Sequence, residues 1–338
     1  MKVLMPSRIL DKNVGGNTTY ARELASRLPA HGFTVDVMRA GRNPVHTMVL
    51  ESLQSMRPLS DSVLHFVADT GPLFRPRVPS IVTVHGVASR WISTARNQRQ
   101  EYIWRSRVGA AIRFCDHVIT VSQSSADDIA EIFEIERSAI SVIPHGISSQ
   151  SFEAPNAVSD HVAASLPSNF ILYVGNIEPR KNIIELIRAV EDDESLPMLV
   201  IAGKPAWNFT DSMEAIGRAK RVVYLGFVSD EDRAALMKLC DAFVFPSLYE
   251  GFGFPVLEAM AAGAPVITTD RGSLKEVAGP AWILEGTDRE AIATGIKDAL
   301  NDPAWLQRSP SAGAEWAASF SWDESVRQHA AAYRRVAK

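Results

Sequence analysis

The sequence predicts an α/β fold built from two doubly wound, Rossmann-like domains. Short continuous apolar runs alternate with longer segments of helical pattern along the whole chain. Such runs are typical of parallel strands buried on both faces, and their alternation with helices is typical of βαβ units. A length of 338 residues exceeds what one hydrophobic core usually holds, and it suits two domains.

About six strand-like runs lie in each half of the chain. In order, they are "KVLMP", "FTVDVM", "SVLHFV", "SIVTVH", "HVITVS" and "AISVIPHG", then "FILYVG", "MLVIAG", "VVYLGF", "AFVFPS", "PVITTD" and "AWILE". Helical segments between them include residues 18–28, 183–190 and 230–239. A polar stretch at residues 148–167, interrupted by Pro155 and Pro167, predicts the domain boundary.

Composition and charge exclude several classes of function. The net charge of -4 argues against nucleic acid as the main partner, because phosphate binding requires a basic face. Cys115 and Cys240 show no metal or disulfide spacing, so we expect buried, reduced thiols. The first residues do not resemble a signal peptide, and no apolar run approaches the roughly 18 residues of a spanning helix. These observations predict a cytoplasmic protein.

The string "YEGFGFPVLEAMAAG" at residues 249–263 predicts a turn followed by a helix. It follows the strand "AFVFPS". Pro255 suits the first helical position and Gly263 suits the residue after the helix end, so we expect a helix from about residue 255 to 262. Gly251 and Gly253 in the turn would allow a ligand to approach the backbone closely.

Two carboxylates flank this turn, Glu250 before it and Glu258 one turn into the helix. The helix N-terminus between them favours an anion, because its amides and dipole point outward. A glutamate one turn into a helix is also an ordinary helix residue. The whole string, however, suits a ligand with an anion in the middle and hydroxyls at both ends, which is the layout of a nucleotide-sugar.

The chain resembles the retaining glycosyltransferases of family GT4, which have the GT-B architecture of two Rossmann-like domains facing across a cleft. "EGFGFPVLEAMAAGAPVI" is similar to the E-x7-E signature of that family. Further similar segments are Gly15-Gly16 after the first strand, "VSQSSADDI", "VIPHGI", "LYVGNIEPRKNIIELIRA", "VIAGK", "LGFVSDEDRAALMKLCDAFVFPS" and "FSWDESV". The variants "VGNIEPRKN" and "GKPAW" look most like a bacterial mannosyltransferase branch.

The resemblance implies a division of labour between the two domains. Residues 1–155 would bind the acceptor, residues 160–320 would bind the donor, and residues 322–338 would pack back on the first domain. In the family, the counterpart of Glu258 holds the ribose hydroxyls and the counterpart of Glu250 contacts the transferred sugar. Backbone groups of the turn would face the sugar as well. They belong to Gly251, Phe252, Gly253 and Phe254.

The pair Arg180-Lys181 is expected to bind the diphosphate. It lies at a predicted helix start, where the dipole disfavours cations, and a bound diphosphate would compensate for this. The family places this pair on the diphosphate, where its charge stabilises the leaving group. Since the pair can replace the charge of a metal ion, we expect no metal and no other cofactor.

Three residues of the first domain are also assigned by the resemblance. Gly15 and Gly16 would bring amides to the phosphates, although the bare sequence is equally compatible with a simple turn. His85 would lie at the sugar, although a histidine at a strand end is often only a satisfied polar group. The family usually has aspartate after this histidine, where Gly86 stands, and asparagine where His145 stands, so we assign His145 no catalytic role.

Three further motifs are rejected. "DED" at residues 230–232 matches a D-x-D metal motif, but it follows Ser229 and opens a helix, so capping explains it. "GFGFPV" fails the dinucleotide fingerprint because Val256 replaces the third glycine, and "AGKPAW" lacks the spacing of a P-loop.

The expected activity is transfer of a hexose, with retention of configuration, from a nucleotide-sugar to a hydroxyl of a glycan or lipid-linked acceptor. The resemblance favours mannose and GDP-mannose, although no residue distinguishes guanine from uracil. Two alternatives remain open, a catalytically silent GT-B subunit that binds a partner and a two-domain nicotinamide-dependent dehydrogenase. The sequence does not indicate the oligomeric state.

A basic and aromatic segment at residues 89–114 suggests a membrane-facing surface. From Arg96 to Arg113 there are five arginines against one glutamate, and Trp91, Ile92, Tyr102, Ile103 and Trp104 interleave with them. Such a pattern suits peripheral association with an anionic membrane. An ordinary helix with aromatic residues in the core and arginines in water explains the pattern slightly better, so both interpretations stay open.

Overall fold

The computed structural model describes residues 1–11, 15–88, 98–148, 152 and 157–338. The chain divides into two compact units. Within the described residues, the first unit consists of residues 1–88, 98–146 and 321–338, and the second consists of residues from 147 to 320. The Pro155 part of the expected boundary lies outside the described residues.

Each unit contains one parallel sheet. The strands are β1 Lys2–Pro6, β2 Thr34–Met38, β3 Ser62–Phe66, β4 Ser80–Val84, β5 His117–Thr120, β6 Ile140–Val142, β7 Phe170–Val174, β8 Met198–Ala202, β9 Val222–Gly226, β10 Ala242–Phe245, β11 Val266–Thr268 and β12 Trp282–Ile283. Every strand-like run of the sequence forms one of these strands, so the predicted α/β fold class is confirmed.

Helices connect the strands. They are α1 Ser7–Leu10, α2 Gly16–Arg27, α3 Pro44–Ser55, α4 Gln98–Phe114, α5 Gln123–Ile132, α6 Asp160–Ala163, α7 Ile183–Asp192, α8 Thr210–Arg218, α9 Asp230–Leu239, α10 Phe254–Ala261, α11 Leu274–Val277, α12 Arg289–Leu300, α13 Pro303–Ala318 and α14 Trp322–Val336. The helix expected near residues 255–262 therefore begins and ends one residue earlier, because Gly253 caps it and Pro255 takes its second position.

The order of the strands determines where side chains can meet. Among the described residues, the first sheet has the order β2-β1-β3-β4-β5-β6 and the second has the order β12-β11-β10-β7-β8-β9. The central strands β3, β4 and β7 are buried along their whole length, whereas the edge strand β9 is only partly buried. Buried central strands explain why these runs are continuously apolar in the sequence.

Each sheet has one point at which the chain changes its direction of winding. In the second sheet this point lies between β7 and β10, which are neighbours. In the first sheet it lies between β1 and β3. Loops that leave the carboxyl ends of two such strands diverge and leave a crevice, which is where ligands bind in open α/β sheets.

The cysteines agree with the expectation of buried, reduced thiols. Cys115 and Cys240 are both buried and free. Burial raises the pKa of the Cys115 thiol to about 12, and it also raises the pKa of the Cys240 thiol. In the described part of the chain, no helix combines the length and the apolar character needed to cross a membrane.

The basic and aromatic segment is described only in part. Trp91, Ile92 and Arg96 lie outside the described residues. Helix α4 contains the remainder, and its Tyr102 and Ile103 are exposed to solvent. Peripheral association of this segment with a membrane stays a prediction.

Candidate active site

The predicted donor residues of the second unit converge where β7 and β10 end. A 3-10 turn, Pro179–Lys181, follows β7, and the loop that carries Glu250 follows β10. The loops are bound together, because the backbone amide of Leu248 donates to the carbonyl of Arg180 at 2.9 Å. The hydroxyl oxygen of Ser247 lies 3.1 Å from that carbonyl. Residues about 70 positions apart in the sequence are thereby held in contact.

A buried ion cluster joins these loops. Nζ of Lys181 lies 2.6 Å from Oε1 of Glu250, and Nη1 of Arg180 lies 2.6 Å from Oε2 of the same carboxylate. Arg180 also pairs with Glu178, and Ser247 donates to Oε1 of Glu250 at 2.6 Å. Lys181, Glu178 and Glu250 are buried. Two cations thus face two carboxylates, and the cluster of these four side chains is neutral.

The cluster controls the ionisation of its members. Burial alone would raise the pKa of the Glu250 carboxyl, but the charges of Arg180 and Lys181 outweigh it and lower the pKa to about 2. Burial and the neighbouring charge of Arg180 lower the pKa of Lys181, against the attraction of Glu250. Glu250 is therefore an ionised hydrogen-bond acceptor at neutral pH.

This cluster also changes the account of the basic pair given by the sequence. The cations of Arg180 and Lys181 do need compensation at this turn, as expected. That compensation comes from Glu178 and Glu250. Sequence reasoning missed Glu178, although its position two residues before Arg180 in "EPRK" was visible.

The second glutamate of the signature has its own partner. The carboxylate of Glu258 lies 2.5 Å from Nη1 of Arg233 on α9, and Arg233 also pairs with Asp230 at 3.2 Å. The guanidinium of Arg233 lies 5.4 Å from the ring centroid of Phe152. Sequence reasoning missed Arg233, because "DEDR" was interpreted only as a helix start.

That interpretation of the "DED" motif is itself confirmed. The hydroxyl of Ser229 caps α9 by accepting from the amide of Asp232 at 3.0 Å. The carboxylate of Asp232 accepts from the amide and the hydroxyl of Ser159, at 2.7 and 2.9 Å. Capping and loop anchoring therefore account for this motif.

The turn between the two glutamates is closely packed. Gly253 has a φ of 110°, which favours glycine, and it precedes α10 without a side-chain cap. Phe252 is buried against Phe254, with ring centroids 5.1 Å apart. The hydroxyl of Ser273 bonds the carbonyls of Glu250 and Phe252, at 3.0 and 2.7 Å. The first turn of α10 contains no acidic residue, so its positive dipole end is not neutralised there.

Gly15 and Gly16 stand at the start of α2 in the first unit. Gly15 precedes the helix with a φ of 121° and has no side-chain cap, and its carbonyl accepts from the amides of Thr18 and Thr19 at 2.9 and 3.1 Å. Gly16 is the first residue of the helix. The loop therefore offers a second helix N-terminus, at the point where the winding of the first sheet changes direction.

His85 follows β4 in the first unit and is fixed on two sides. Its amide donates to Oδ1 of Asp69 at 2.8 Å, and its Nε2 lies 2.8 Å from the carbonyl oxygen of Val67. A carbonyl can only accept, so Nε2 carries a proton. In the neutral ring, Nδ1 is then the acceptor. Sequence reasoning predicted the residue but not this tautomer.

Aromatic side chains hold the His85 ring in place. The ring of His145 stacks on it with centroids 5.5 Å apart, and the ring of Tyr20 meets it edge-on at 5.0 Å. Tyr20 in turn bonds His329 of α14 at 2.7 Å and Thr83 at 2.9 Å. Burial lowers the pKa of His145 well below its usual value, so this ring is neutral and packs as an aromatic group.

The Glu250 ion pairs make stability depend on pH. The folded-state pKa of about 2 lies below the ordinary value of 4.5, so the ionised carboxylate stabilises the fold above pH 4.5, and this contribution is lost as the pH falls toward 2. We expect Glu250→Gln to be less stable than the wild type, with a difference that shrinks by about 2 kcal/mol between pH 7 and about pH 3. Urea denaturation followed by circular dichroism measures this difference.

A matched control is Glu285→Gln, which changes an exposed glutamate of the same unit. For that variant the difference from wild type should stay constant over the same pH range. A constant difference for Glu250→Gln as well would contradict the buried ion pairs.

Two family profiles match this chain. The profile described as "Glycosyl transferases group 1" matches residues 159–316, and the profile described as "Glycosyltransferase Family 4" matches residues 61–151. The two matches fall in the two units and together include His85, Arg180, Lys181, Glu250 and Glu258.

One similar sequence is O-antigen chain mannosyltransferase B of Escherichia coli, which is 33% identical over 64% of this chain. The match spans 60% of the length of that mannosyltransferase.

Solved structures share the fold over almost the whole chain. Sucrose-phosphate synthase from Thermosynechococcus elongatus superposes with a TM-score of 0.79 and 21% identity, over 99% of this chain and 98% of that protein. Anabaena Alr3699/HepE, solved in complex with UDP and glucose, superposes with a TM-score of 0.77 and 18% identity, over 99% of this chain and 100% of that protein. The chain has the GT-B fold and belongs to glycosyltransferase family 4.

Proposed function

We propose that the protein is a retaining glycosyltransferase that moves a hexose from a nucleotide-sugar to a hydroxyl of a glycan or lipid-linked acceptor. The observation that carries this proposal is the buried cluster of Arg180, Lys181, Glu178 and Glu250. It places a carboxylate, which suits sugar hydroxyls, beside two cations, which suit a diphosphate, in the loops that follow the neighbouring strands β7 and β10. Family membership supports the same class of reaction.

Each part of the donor has a partner in this proposal. Arg180 and Lys181 bind the diphosphate, and Glu250 accepts hydrogen bonds from hydroxyls of the sugar. The N-terminus of α10, with Gly251, Phe252, Gly253 and Phe254, offers backbone groups to the sugar and the phosphate. Glu258 binds the ribose hydroxyls. In the first unit, Gly15 and Gly16 offer amides to the phosphates and His85 offers Nδ1 to the sugar.

The ion cluster is suited to the charge that develops during transfer. The bond between the anomeric carbon and the phosphate oxygen breaks, and its electron pair stays on the nucleoside diphosphate. Arg180 and Lys181 stabilise that charge without a metal ion. Among the described residues, the ammonium of Lys181 donates one hydrogen bond, to Glu250, so two of its three protons can serve a phosphate.

Glu250 is better suited to binding than to nucleophilic attack. Both of its carboxylate oxygens accept from cations, and its pKa of about 2 makes it a weak base. We therefore infer that the acceptor oxygen bonds the anomeric carbon on the face that the phosphate leaves. The acceptor proton passes to the departing phosphate oxygen, and the configuration is retained.

The similarity to an O-antigen mannosyltransferase supports mannose as the sugar, and we propose GDP-mannose as the donor. A panel of nucleotide-sugars, read by mass spectrometry of the released nucleotide, tests this. We expect GDP release from GDP-mannose above all other donors. Release of UDP from a UDP-sugar instead would contradict the donor but keep the reaction. Release from no donor would contradict transfer and favour a silent binding subunit.

Replacing Arg180 tests its role at the diphosphate. Arg180→Lys keeps a positive charge but loses the planar fork that joins two carboxylates and the diphosphate, so we expect turnover to fall about a hundredfold. Its melting temperature should fall less than that of Arg180→Ala, which leaves a buried carboxylate uncompensated. Arg218→Lys, at an exposed arginine of α8, is the matched control.

The metal-free assignment predicts that activity persists in EDTA. Loss of activity on chelation, restored by magnesium or manganese, would contradict a metal-free reaction.

The ribose assignment predicts a selective loss of affinity. Glu258→Gln should weaken binding of the nucleoside diphosphate by about 1.5–3 kcal/mol, the range for a hydrogen bond to a charged group. It should not further weaken binding of the 2′,3′-dideoxy analogue, which lacks the hydroxyls. Isothermal titration calorimetry measures both, with Glu231→Gln on α9 as an exposed control. Equal losses for the two ligands would remove Glu258 from the ribose.

A further inference from the structure

Five buried polar side chains of the first unit form one chain of hydrogen bonds. They come from distant parts of the sequence and are Tyr20 of α2, His65 of β3, Thr83 of β4, and His329 and Tyr333 of α14. All five are 0% exposed, and successive members lie 2.7–2.9 Å apart. Polar atoms are costly to bury unless they are paired, so these bonds determine how the rings are held. The proposed function assigns none of the five to the donor.

The direction of the bonds in this chain follows from one carbonyl. Nδ1 of His329 lies 2.7 Å from the carbonyl oxygen of Ser325, which can only accept, so Nδ1 carries a proton. Burial lowers the pKa of His329 to about 4, so the ring is neutral at pH 7 and its Nε2 is an acceptor. Nε2 therefore accepts from the hydroxyl of Tyr20, at 2.7 Å.

The remaining bonds are fixed in turn. The Tyr20 hydroxyl gives its only proton to His329, so it accepts from the hydroxyl of Thr83 at 2.9 Å. Thr83 then accepts from Nε2 of His65 at 2.8 Å. Burial lowers the pKa of His65 well below its usual value, so this ring is neutral and its Nδ1 accepts from Tyr333 at 2.7 Å. Tyr20 cannot turn without leaving a buried polar group unpaired.

Tyr20 is the member of the chain that meets the candidate site. Its ring contacts the His85 ring edge-on, with centroids 5.0 Å apart, and its hydroxyl bonds Thr83, two residues before His85. The ring of His145 stacks on His85 at 5.5 Å and also contacts Tyr20 at 4.8 Å, so the three rings touch one another. His85 is only partly buried, whereas Tyr20 and His145 are buried. The histidine thus rests on two buried rings, of which one is fixed at its hydroxyl.

We propose that Tyr20 and His329 are positioning residues for His85. The hydroxyl of Tyr20, held between Thr83 and His329, fixes its ring, and that ring sets the orientation in which His85 presents Nδ1. Helix α14 thereby acts on the end of β4, although His329 lies 309 positions after Tyr20 in the sequence. The inference rests on the proposed function, because the orientation of His85 matters for transfer only if His85 lies at the sugar.

The magnetic resonance spectrum of the His85 imidazole tests this without any reaction. In protein labelled at the histidine ring nitrogens, each signal reports which nitrogen carries the proton, and a His85→Gln variant assigns the signals. We expect one tautomer in the wild type, with the proton on Nε2. Tyr20→Phe keeps a ring but removes both bonds of the hydroxyl. The looser His85 ring should then bond Val67 less firmly, so its signals should shift toward a mixture of tautomers.

A pair of substitutions at His329 separates positioning from loss of stability. His329→Gln keeps an acceptor near the place of Nε2, so Tyr20 stays bonded and the His85 signals should match the wild type. His329→Leu offers no acceptor, so the signals should shift as in Tyr20→Phe. Both substitutions remove the bond to Ser325, and glutamine and leucine are similarly good helix formers, so α14 is affected alike.

Kinetics with the donor that the panel identifies test the consequence for transfer. Tyr20→Phe and His329→Leu should lower kcat about tenfold, because a misplaced group at the substrate slows the chemical step. KM for the donor should stay within about twofold, because the diphosphate-binding cations lie in the second unit. Tyr333→Phe is the matched control. It removes one buried hydroxyl from the far end of the chain and keeps both bonds of Tyr20, so kcat and the His85 signals should not change.

Three results would overturn the proposal. The first is unchanged His85 signals in Tyr20→Phe and His329→Leu, with the fold intact by circular dichroism. The second is a fall in kcat for His329→Gln as large as for His329→Leu, and the third is an equal effect of Tyr333→Phe. If Tyr20→Phe does not fold, the two His329 variants decide. Shifted His85 signals in a protein that transfers no sugar would support the positioning and contradict the proposed function, so the two can fail separately.

Discussion

The buried contact between Glu250 and the cations of Arg180 and Lys181 is the interaction on which the second unit and its candidate site depend. It ties the turn after β7 to the loop after β10, at the ends of two neighbouring strands. An isolated buried charge would be very costly, and each member is tolerated because the others compensate for it. The same groups that stabilise the loops are those that would bind the sugar and the diphosphate.

This arrangement gives the candidate site a neutral set of charges that are fixed by one another. In the proposed function, a diphosphate at Arg180 and Lys181 would compete with these carboxylates and would redistribute existing contacts. Preorganised charge of this kind stabilises a transition state without reorganisation during the reaction. Arg233 plays a comparable part for Glu258, which it holds in an ionic contact one turn into α10. Both glutamates of the signature are thus fixed by arginines.

Local sequence pattern predicted the strands, and the resemblance to a family proposed the site residues, but neither predicted which side chains pair. Continuous apolar runs identify buried strands such as β7 because burial on both faces leaves no place for polar residues. The contact of Lys181 with Glu250 could not be predicted locally, because it depends on β7 and β10 being neighbours. Arg233 was missed because capping already explained its neighbours.

A double-mutant cycle on Lys181 and Glu250 tests directly whether these two side chains form a buried ion pair. Hydrogen exchange of the β7 and β10 amides would report the local free energy of unfolding in the wild type, Lys181→Met, Glu250→Gln and the double variant. Each single change should cost about 3–5 kcal/mol, since it leaves a buried charge uncompensated. The double variant should then cost less than the sum, with a coupling energy of about 2 kcal/mol. Additive losses, within about 0.5 kcal/mol, would contradict a buried ion pair between these residues.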